Sequence, residues 1–366
     1  MKLLLTGPVT PYRGGIAAFN DALYSVLHLR HDVTVWNFRR MYPGFLFPGS
    51  SQFRPEAGAE ENGVRLLDSI GFWSWPLLRA KLRREKFDAI IHPYWHPFFA
   101  PLWLSLHAKG TKRIVIGHNT MPHESFPFGN VLSRKLMKSA DGLITLGRSE
   151  LAQARELGFR GRGAWHPSPA YPAYIERFRT YAAPFSAPFE SERPTILLFG
   201  MIRDYKGLDV LLSAMRLPVL SEVNLLIAGE CYTGAEEVRT LIEPLKSRVY
   251  WYDKYLPDDD VPQLFAASDL VVLPYKKATS TGVLPLAYAA GLPVVVTNVG
   301  GLPDLVTEGE TGAIVPPNNP EALANAIHQW LFNDEKRKEA ISNHIPKMLQ
   351  TMTFEALVDT MEREVL

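Results

Sequence analysis

Apolar residues along this chain fall mostly into short unbroken runs, each closed by turn residues and followed by a stretch whose apolar positions recur three and four apart. The runs are LLLTG (3–7), DVTVWNF (32–38), DAIIHP (88–93), RIVIGHN (113–119), GLITLG (142–147), TILLFG (195–200), NLLIAGE (224–230), VYWYD (249–253), LVVLPY (270–275) and PVVVTN (293–298). Runs that are apolar on successive residues predict strands buried on both faces. The periodic stretches predict helices over 15–29, 131–140, 148–157, 206–215, 234–246, 259–267, 282–290, 320–332 and 335–349. Strand and helix in alternation predict an α/β fold, with doubly wound, Rossmann-like parallel sheets covered by helices on both faces. Ten strands are many for one sheet. The segment AAPFSAPFESERPT (182–195) has no periodicity and three prolines, and it reads as a linker. It splits the chain into two domains of similar design, 1–183 and 184–349. Two such domains would face a central cleft, with ligands at the carboxyl ends of the strands. The informative residues should therefore lie just past each run.

After the first run, Gly14 and Gly15 lead directly into a helix. A glycine pair lets backbone N–H groups approach an anion at a helix N-terminus, although a tight turn explains the same residues. Gly200 closes the run TILLFG, and Arg203 and Lys206 follow in a short turn before the next helix. Arginine suits bidentate phosphate contact and lysine adds a point charge, whereas two solvated cations flanking Asp204 are the plain alternative. Thr279, Ser280 and Thr281 precede a helix that starts near Gly282 and Val283. That is either an anion cradle or an ordinary capped helix. Glu230 ends NLLIAGE, where it could take a ribose hydroxyl pair or cap a neighbouring helix. His118 and Asn119 end RIVIGHN, with His123 and Glu124 close behind. Pro122 rules out a helical pair of metal-ligating histidines there, which leaves a polar cluster at a strand end.

Composition narrows the choices. A chain of 366 residues with 46% apolar residues is a globular protein large enough for two cores. Its net charge of +1 gives no bulk attraction for nucleic acid, so an anion site must be local. The one cysteine, Cys231, allows no internal disulfide and points to a reducing, cytoplasmic setting. The opening MKLLLTGPVTPYRGG is too short in apolar residues for a signal-peptide core, and the aromatic stretch FDAIIHPYWHPFFAPLWLSL is interrupted by polar residues and prolines.

The segments GMIRDYKGLDVLLSAM, LLIAGE, FAASDLVVLPY and AYAAGLPVVVTNVGGLPDLVTEGETGAIVPP resemble the family 4 retaining glycosyltransferases of the GT-B fold. The resemblance runs through roughly 195–330, and TPYRGGIAAF and GHN extend it to the first half. It implies a metal-independent enzyme with no cofactor whose donor is a UDP- or GDP-sugar. It implies that Arg203 and Lys206 hold the diphosphate, and that backbone amides of Thr281, Gly282 and Val283 hold phosphate and sugar. His118 would lie beside the transferred sugar, and the nucleotide base near Lys254, Tyr255 and Leu256. The first domain would take the acceptor, and a C-terminal helix over about 350–366 would pack back on it. Two family features are missing. Met201 stands where an arginine often follows the strand glycine, and Ala278 and Leu286 occupy the places of two glutamates, so neither glutamate's role transfers to this chain.

Stabilising a leaving diphosphate without a metal calls for fixed cations and helix N-termini, which the strand ends supply. Three other readings compete. A nucleotide-sugar 2-epimerase shares the fold, and a non-catalytic partner subunit would account for Ala278 and Leu286. A dehydrogenase would need GxGxxG after the first strand, where GPVTPYRGG stands. The expected product is a cell-surface polysaccharide or glycolipid, with a saccharide or lipid-linked acceptor. On the acceptor side, PLLRAKLRREKF (76–87) is basic and PYWHPFFAPLWL (93–104) is aromatic. Together they form either a peripheral contact with the inner membrane face or a solvated helix followed by core.

Overall fold

The computed structural model describes residues 1–43, 52–53, 63–118, 128–181, 189, 193–231, 234–254, 256–257, 259–278 and 281–366. The chain forms two compact units, Met1–His166 with Phe354–Leu366, and Pro167–Thr353. The division falls between His166 and Pro167, whereas the proline-rich segment placed it at 183/184. Most of that segment lies outside the described residues.

Unit 1 is built on seven parallel strands: β1 (Lys2–Thr6), β2 (Asp32–Arg40), β3 (Val64–Asp68), β4 (Ala89–Tyr94), β5 (Lys112–Gly117), β6 (Gly142–Thr145) and β7 (Arg162–Trp165). Their order across the sheet is β3-β2-β1-β4-β5-β6-β7. The central strands β1, β4 and β5 are buried almost throughout, as their continuous apolar runs require. Helices α1 (Gly15–Leu27), α2 (Trp75–Glu85), α3 (Ala100–Ser105), α4 (Gly129–Ser139) and α5 (Arg148–Glu156) connect them. The aromatic stretch after β4 turns inward. Tyr94, Phe99 and Trp103 are fully buried, and Trp103 stacks on the His92 ring at 4.9 Å. Residues 93–104 are therefore largely core.

Unit 2 repeats the design with six strands: β8 (Thr195–Phe199), β9 (Asn224–Ala228), β10 (Val249–Tyr252), β11 (Leu270–Leu273), β12 (Val294–Thr297) and β13 (Gly312–Val315), in the order β10-β9-β8-β11-β12-β13. Every pairing is parallel, for example Thr195↔Asn224 through Phe199↔Ala228. Its helices are α6 (Pro172–Thr180), α7 (Leu208–Met215), α8 (Ala235–Ile242), α9 (Val261–Ala266), α10 (Val283–Ala289), α11 (Pro320–Phe332), α12 (Asp334–Glu339) and α13 (Ile345–Thr351). Helix α6 belongs here because it packs on α9 and α10, with Phe178 against Phe265 at 5.5 Å. The helix expected over 335–349 is broken by a π-turn at Ala340–His344. Pro346 has no N–H for the α-helical ladder, and the turn widens just before it.

Helix α14 (Phe354–Glu364) lies in unit 1 against α1 and β7. Phe354 meets Phe19 edge-on at 5.2 Å, and Arg30 and His31 bond Glu362 at 3.2 and 2.9 Å. No helix among the described residues is long and apolar enough to cross a membrane.

Candidate functional site

In unit 2 the site is assembled where β8, β9 and β11 end. Gly200 leaves β8 with φ +96°, a conformation that favours glycine. A Cβ there would stand 2.7 Å from Lys206 Nζ. The lysine reaches back because 204–206 form a 3₁₀ turn that closes on Gly207, and Gly207 is itself fixed by φ +68° and by the Pro274 carbonyl, 2.0 Å from where its Cβ would lie. The next strand end packs as tightly: a Cβ on Gly229 would meet the Gly200 carbonyl at 2.3 Å, and Ile202 N–H donates to Glu230 O at 2.9 Å. Backbones meet at Gly207 and Gly229, whereas at Gly200 the positive φ and the Lys206 ammonium leave no place for a side chain.

Lys206 is only 7% exposed. Its ammonium donates to the Phe199 carbonyl at a long 3.4 Å and lies 5.8 Å from the Tyr275 ring centre. No carboxylate among the described residues forms an ion pair with it. The candidate Asp204 is held by Lys276 at 2.8 Å, and Asp209 by the same lysine at 2.9 Å. Burial, and then the neighbouring Arg203 charge, bring the Lys206 pKa down to about 8. Arg203 is exposed, and its Nε donates to Met201 Sδ at 3.2 Å. Two cations thus stand together, with their nearest acid diverted to a third. The plain reading of two solvated cations around Asp204 fails for Lys206, which is neither solvated nor paired with it.

Thr281 is buried and hydrogen-bonded to Tyr275, and its Oγ1 accepts the Val283 N–H at 3.2 Å. That amide is therefore engaged within the loop. Val283 Cγ2 lies 3.9 Å from a Cβ built on Gly200, so Gly200, Lys206, Tyr275, Thr281 and Val283 form one cluster with Gly282 beside it. Thr279, Ser280 and Tyr255 lie outside the described residues. Leu256 packs on the unit 2 core and Lys254 is exposed. Leu286 is buried in α10 and Ala278 packs on the core. Asp259 pairs with Arg177 at 3.2 Å, and among the described residues no cluster of three metal-ligating side chains occurs.

In unit 1, the loop after β1 is pinned by side chains. Asn37 Nδ2 donates to the carbonyls of Val9 and Thr10, Asn20 Nδ2 donates to Pro8 O, and Asp21 accepts from Thr10. Gly14, at φ +110°, and Gly15 are exposed, and a Cβ on either would meet nothing within 4 Å. His118 follows β5, and its N–H donates to Tyr94 O at 2.8 Å. Its ring is buried edge-on against Phe19 at 4.6 Å, and Nε2 has no hydrogen-bond partner among the described residues. Asn119, His123 and Glu124 lie outside those residues.

Burial drives the His118 pKa down to about 4. The imidazole is therefore neutral at physiological pH, and it disfavours the fold only as pH falls from its ordinary 6.5 through about 4, where the unfolded chain takes up a proton that the folded chain resists. His118→Gln should leave the shape of the pH–rate profile between pH 5.5 and 7.5 unchanged. An acidic limb that disappears in the variant would show that the ring titrates.

Tyr275, Lys276, Asn37 and Asp21 escaped the sequence reading. Tyr275 closes the run LVVLPY and Lys276 follows it directly, where strand-end position alone could have marked them.

Two family models match the chain: Glycosyltransferase Family 4 over residues 13–164 and Glycosyl transferases group 1 over 193–333. Among curated proteins, the D-inositol 3-phosphate glycosyltransferase of Corynebacterium urealyticum is 28% identical over 62% of this chain and 56% of its own length. The chain spans about half the length of that relative, and 40% of the corresponding Rhodococcus opacus protein. A GDP-mannose-dependent alpha-(1-6)-phosphatidylinositol monomannoside mannosyltransferase of Mycolicibacterium smegmatis is 23% identical over 93% of this chain and 91% of its own. Among solved structures, Anabaena HepE in complex with UDP superposes with a TM-score of 0.69 at 19% identity, covering 99% of this chain and all of that one.

Proposed function

The chain belongs to the group 1, family 4 glycosyltransferases and has their GT-B fold, and from that premise we propose that unit 2 binds a nucleotide-diphosphate sugar, UDP- or GDP-linked, whose sugar passes to an acceptor hydroxyl with retention of configuration. One observation carries the reading: the Lys206 ammonium is buried beside Gly200, with one long bond to a carbonyl and no ion pair among the described residues. Burying an uncompensated charge is costly, and a site that does so is built for a counter-charge that arrives with a ligand. The diphosphate is that ligand. It lies against Lys206 and Arg203 at the end of β8, near Gly282 and Val283.

As the bond from sugar to phosphate breaks, negative charge accumulates on the leaving diphosphate, and the two cations are already in position to meet it. The acceptor proton goes to the leaving phosphate oxygen, so no carboxylate base is required. Gly14 and Gly15 keep the mouth of the first loop clear of side chains, and His118 offers a neutral, unpartnered Nε2 to the transferred sugar. The base sits near Lys254 and Leu256, with the ribose near Glu230 and the start of α10. Thr281 lines the sugar side. The acceptor is a saccharide or lipid-linked glycan, and unit 1 contacts the cytoplasmic face of the membrane peripherally. The named relatives include enzymes of inositol phosphate and phosphatidylinositol mannoside glycosylation, which supports such an acceptor class.

The test is a donor panel of UDP-, GDP- and ADP-sugars scored by nucleotide release, each run with and without EDTA. Release from a UDP- or GDP-sugar should survive EDTA with less than about a twofold change, because fixed cations do the work of a metal. Strict dependence on Mn²⁺ or Mg²⁺ would refute the mechanism, and indifference to every donor would refute the function.

A further inference from the structure

Unit 1 carries an exposed apolar ridge beside a strongly basic helix, and the glycosyl-transfer machinery uses neither. Phe72, Trp73 and Leu77 are 68%, 62% and 74% exposed. They stand on the turn that opens α2 and on its first residues. Phe72 and Trp73 meet edge-on at 5.1 Å, so they pack on one another and not on the core. The turn is rigidly held. Asp68, almost fully buried, accepts the N–H groups of Ile70 and Gly71 and pairs with Arg40 at 2.6 Å, while its carbonyl accepts the Trp75 indole N–H at 2.9 Å. A side chain at Gly71 would strike the Asp68 carboxylate at 2.6 Å. The ridge is therefore presented by a braced support.

Behind the ridge, residues 72–86 contain five cations (Arg79, Lys81, Arg83, Arg84 and Lys86) and one acid, Glu85, in a chain whose total net charge is only +1. Glu85 is taken by Lys81 at 2.5 Å. Leu78 and Leu82 hold α2 to the core, and the i, i+4, i+7 spacing places Leu77, Lys81 and Arg84 together on another face. Arg79 is turned to the protein, where it donates to the Ser105 carbonyl at 3.0 Å. Amphipathic aromatic and leucine side chains next to clustered cations match the two layers of a bilayer surface, acyl boundary and anionic headgroup.

We propose that Phe72, Trp73 and Leu77 insert shallowly into an anionic lipid surface while Arg83, Arg84 and Lys86 lie over its headgroups. This names the segment through which unit 1 makes the peripheral contact put forward above, and it rests on that reading. Charge complementarity favours anionic lipid over a protein partner, since an apolar knob alone would fit either.

The test is co-sedimentation of the full chain with vesicles of pure phosphatidylcholine and of phosphatidylcholine with about 30% phosphatidylglycerol. The parent protein should pellet with the anionic vesicles at least tenfold more than with the neutral ones, and much less at 0.5 M salt, where the Debye length is roughly half its physiological value. Trp73→Ser with Leu77→Ser should abolish pelleting, and Arg83→Glu with Arg84→Glu should reduce it about tenfold. All four side chains are exposed, so thermal melting should confirm that both variants fold as the parent does. UDP binding, measured on the same samples, reports on unit 2 separately, so loss of vesicle binding and loss of the nucleotide site are distinct results. Equal pelleting by parent and Trp73→Ser/Leu77→Ser would overturn the proposal. So would a parent that ignores anionic vesicles, or one that is dimeric by light scattering while that variant is monomeric, an outcome that would make the ridge a protein interface.

Discussion

Lys206→Met is expected to melt about 4–8 °C above the parent protein in the absence of nucleotide, and to lose about 10²-fold or more in kcat/KM. The two effects share one cause. A pKa brought down from 10.5 to about 8 corresponds to roughly 3 kcal/mol acting against the charged, folded protein. The long bond to Phe199 O offsets only part of it. The sign follows from linkage. Above the ordinary lysine pKa both states are neutral and nothing is lost. As pH falls from 10.5 to about 8, the unfolded chain gains a proton that the folded one resists, and below 8 the full penalty applies. The gap in melting temperature between variant and parent should therefore narrow as pH rises from 8 towards 10. A diphosphate would supply the missing counter-charge and restore the ammonium, so the parent's UDP affinity should weaken above about pH 8 while any residual affinity of the variant should not. A Lys206→Met protein that melts lower, or that retains turnover, would mean the buried ammonium serves packing and not a ligand.

Arg203→Ala is the complementary experiment. Arg203 is exposed and, among the described residues, is held by Met201 Sδ, so its removal should leave the stability within about 0.5 kcal/mol of the parent's. The same change should lower kcat/KM about 10²-fold, the scale of losing one preorganised donor to a developing charge. Most of the loss should fall on kcat, since the interaction strengthens as the leaving group gains charge. His118→Ala should also cut turnover, with a smaller effect on UDP affinity. If Arg203→Ala turns over normally, or fails only because it unfolds, the two cations are not a diphosphate clamp.

The central strands were legible because burial on both faces forces apolar residues onto successive positions. The three strands that escaped notice, β3, β7 and β13, are all at sheet edges. Val64 in β3 is 57% exposed, β7 has no fully buried residue, and β13 is four residues beginning with glycine. An edge strand is shielded on one side only, and its run is short and mixed. The aromatic stretch at 93–104 was ambiguous for a related reason: composition cannot distinguish a ring stacked inside from one projecting outside. The structure buries Trp103 and exposes Trp73, although both sit among leucines and prolines. At the site, the strand-end rule located Gly200, Arg203, Lys206 and Thr281. What it could not convey was the direction of the Lys206 side chain, because a 3₁₀ turn folds it inward over Gly200. Nor could it convey the diversion of Asp204, which depends on Lys276, seventy-two residues away along the chain.

Helix α14 bears on how the chain matures during synthesis. Domains usually fold in the order in which they emerge, the N-terminal one first. Here the first unit is discontinuous: Phe19, Arg30 and His31 of its opening helix region wait for Phe354 and Glu362, and Lys112 donates to the Leu366 backbone. Unit 2, by contrast, is an uninterrupted stretch of chain. A nascent chain released as far as Thr353 can complete the second unit while the first still exposes the apolar groove between α1 and β7. The first domain to be translated is thus the last to close, and truncations that remove only Phe354–Glu364 should send the newly made protein to chaperones and proteases, although every residue of the candidate site is intact.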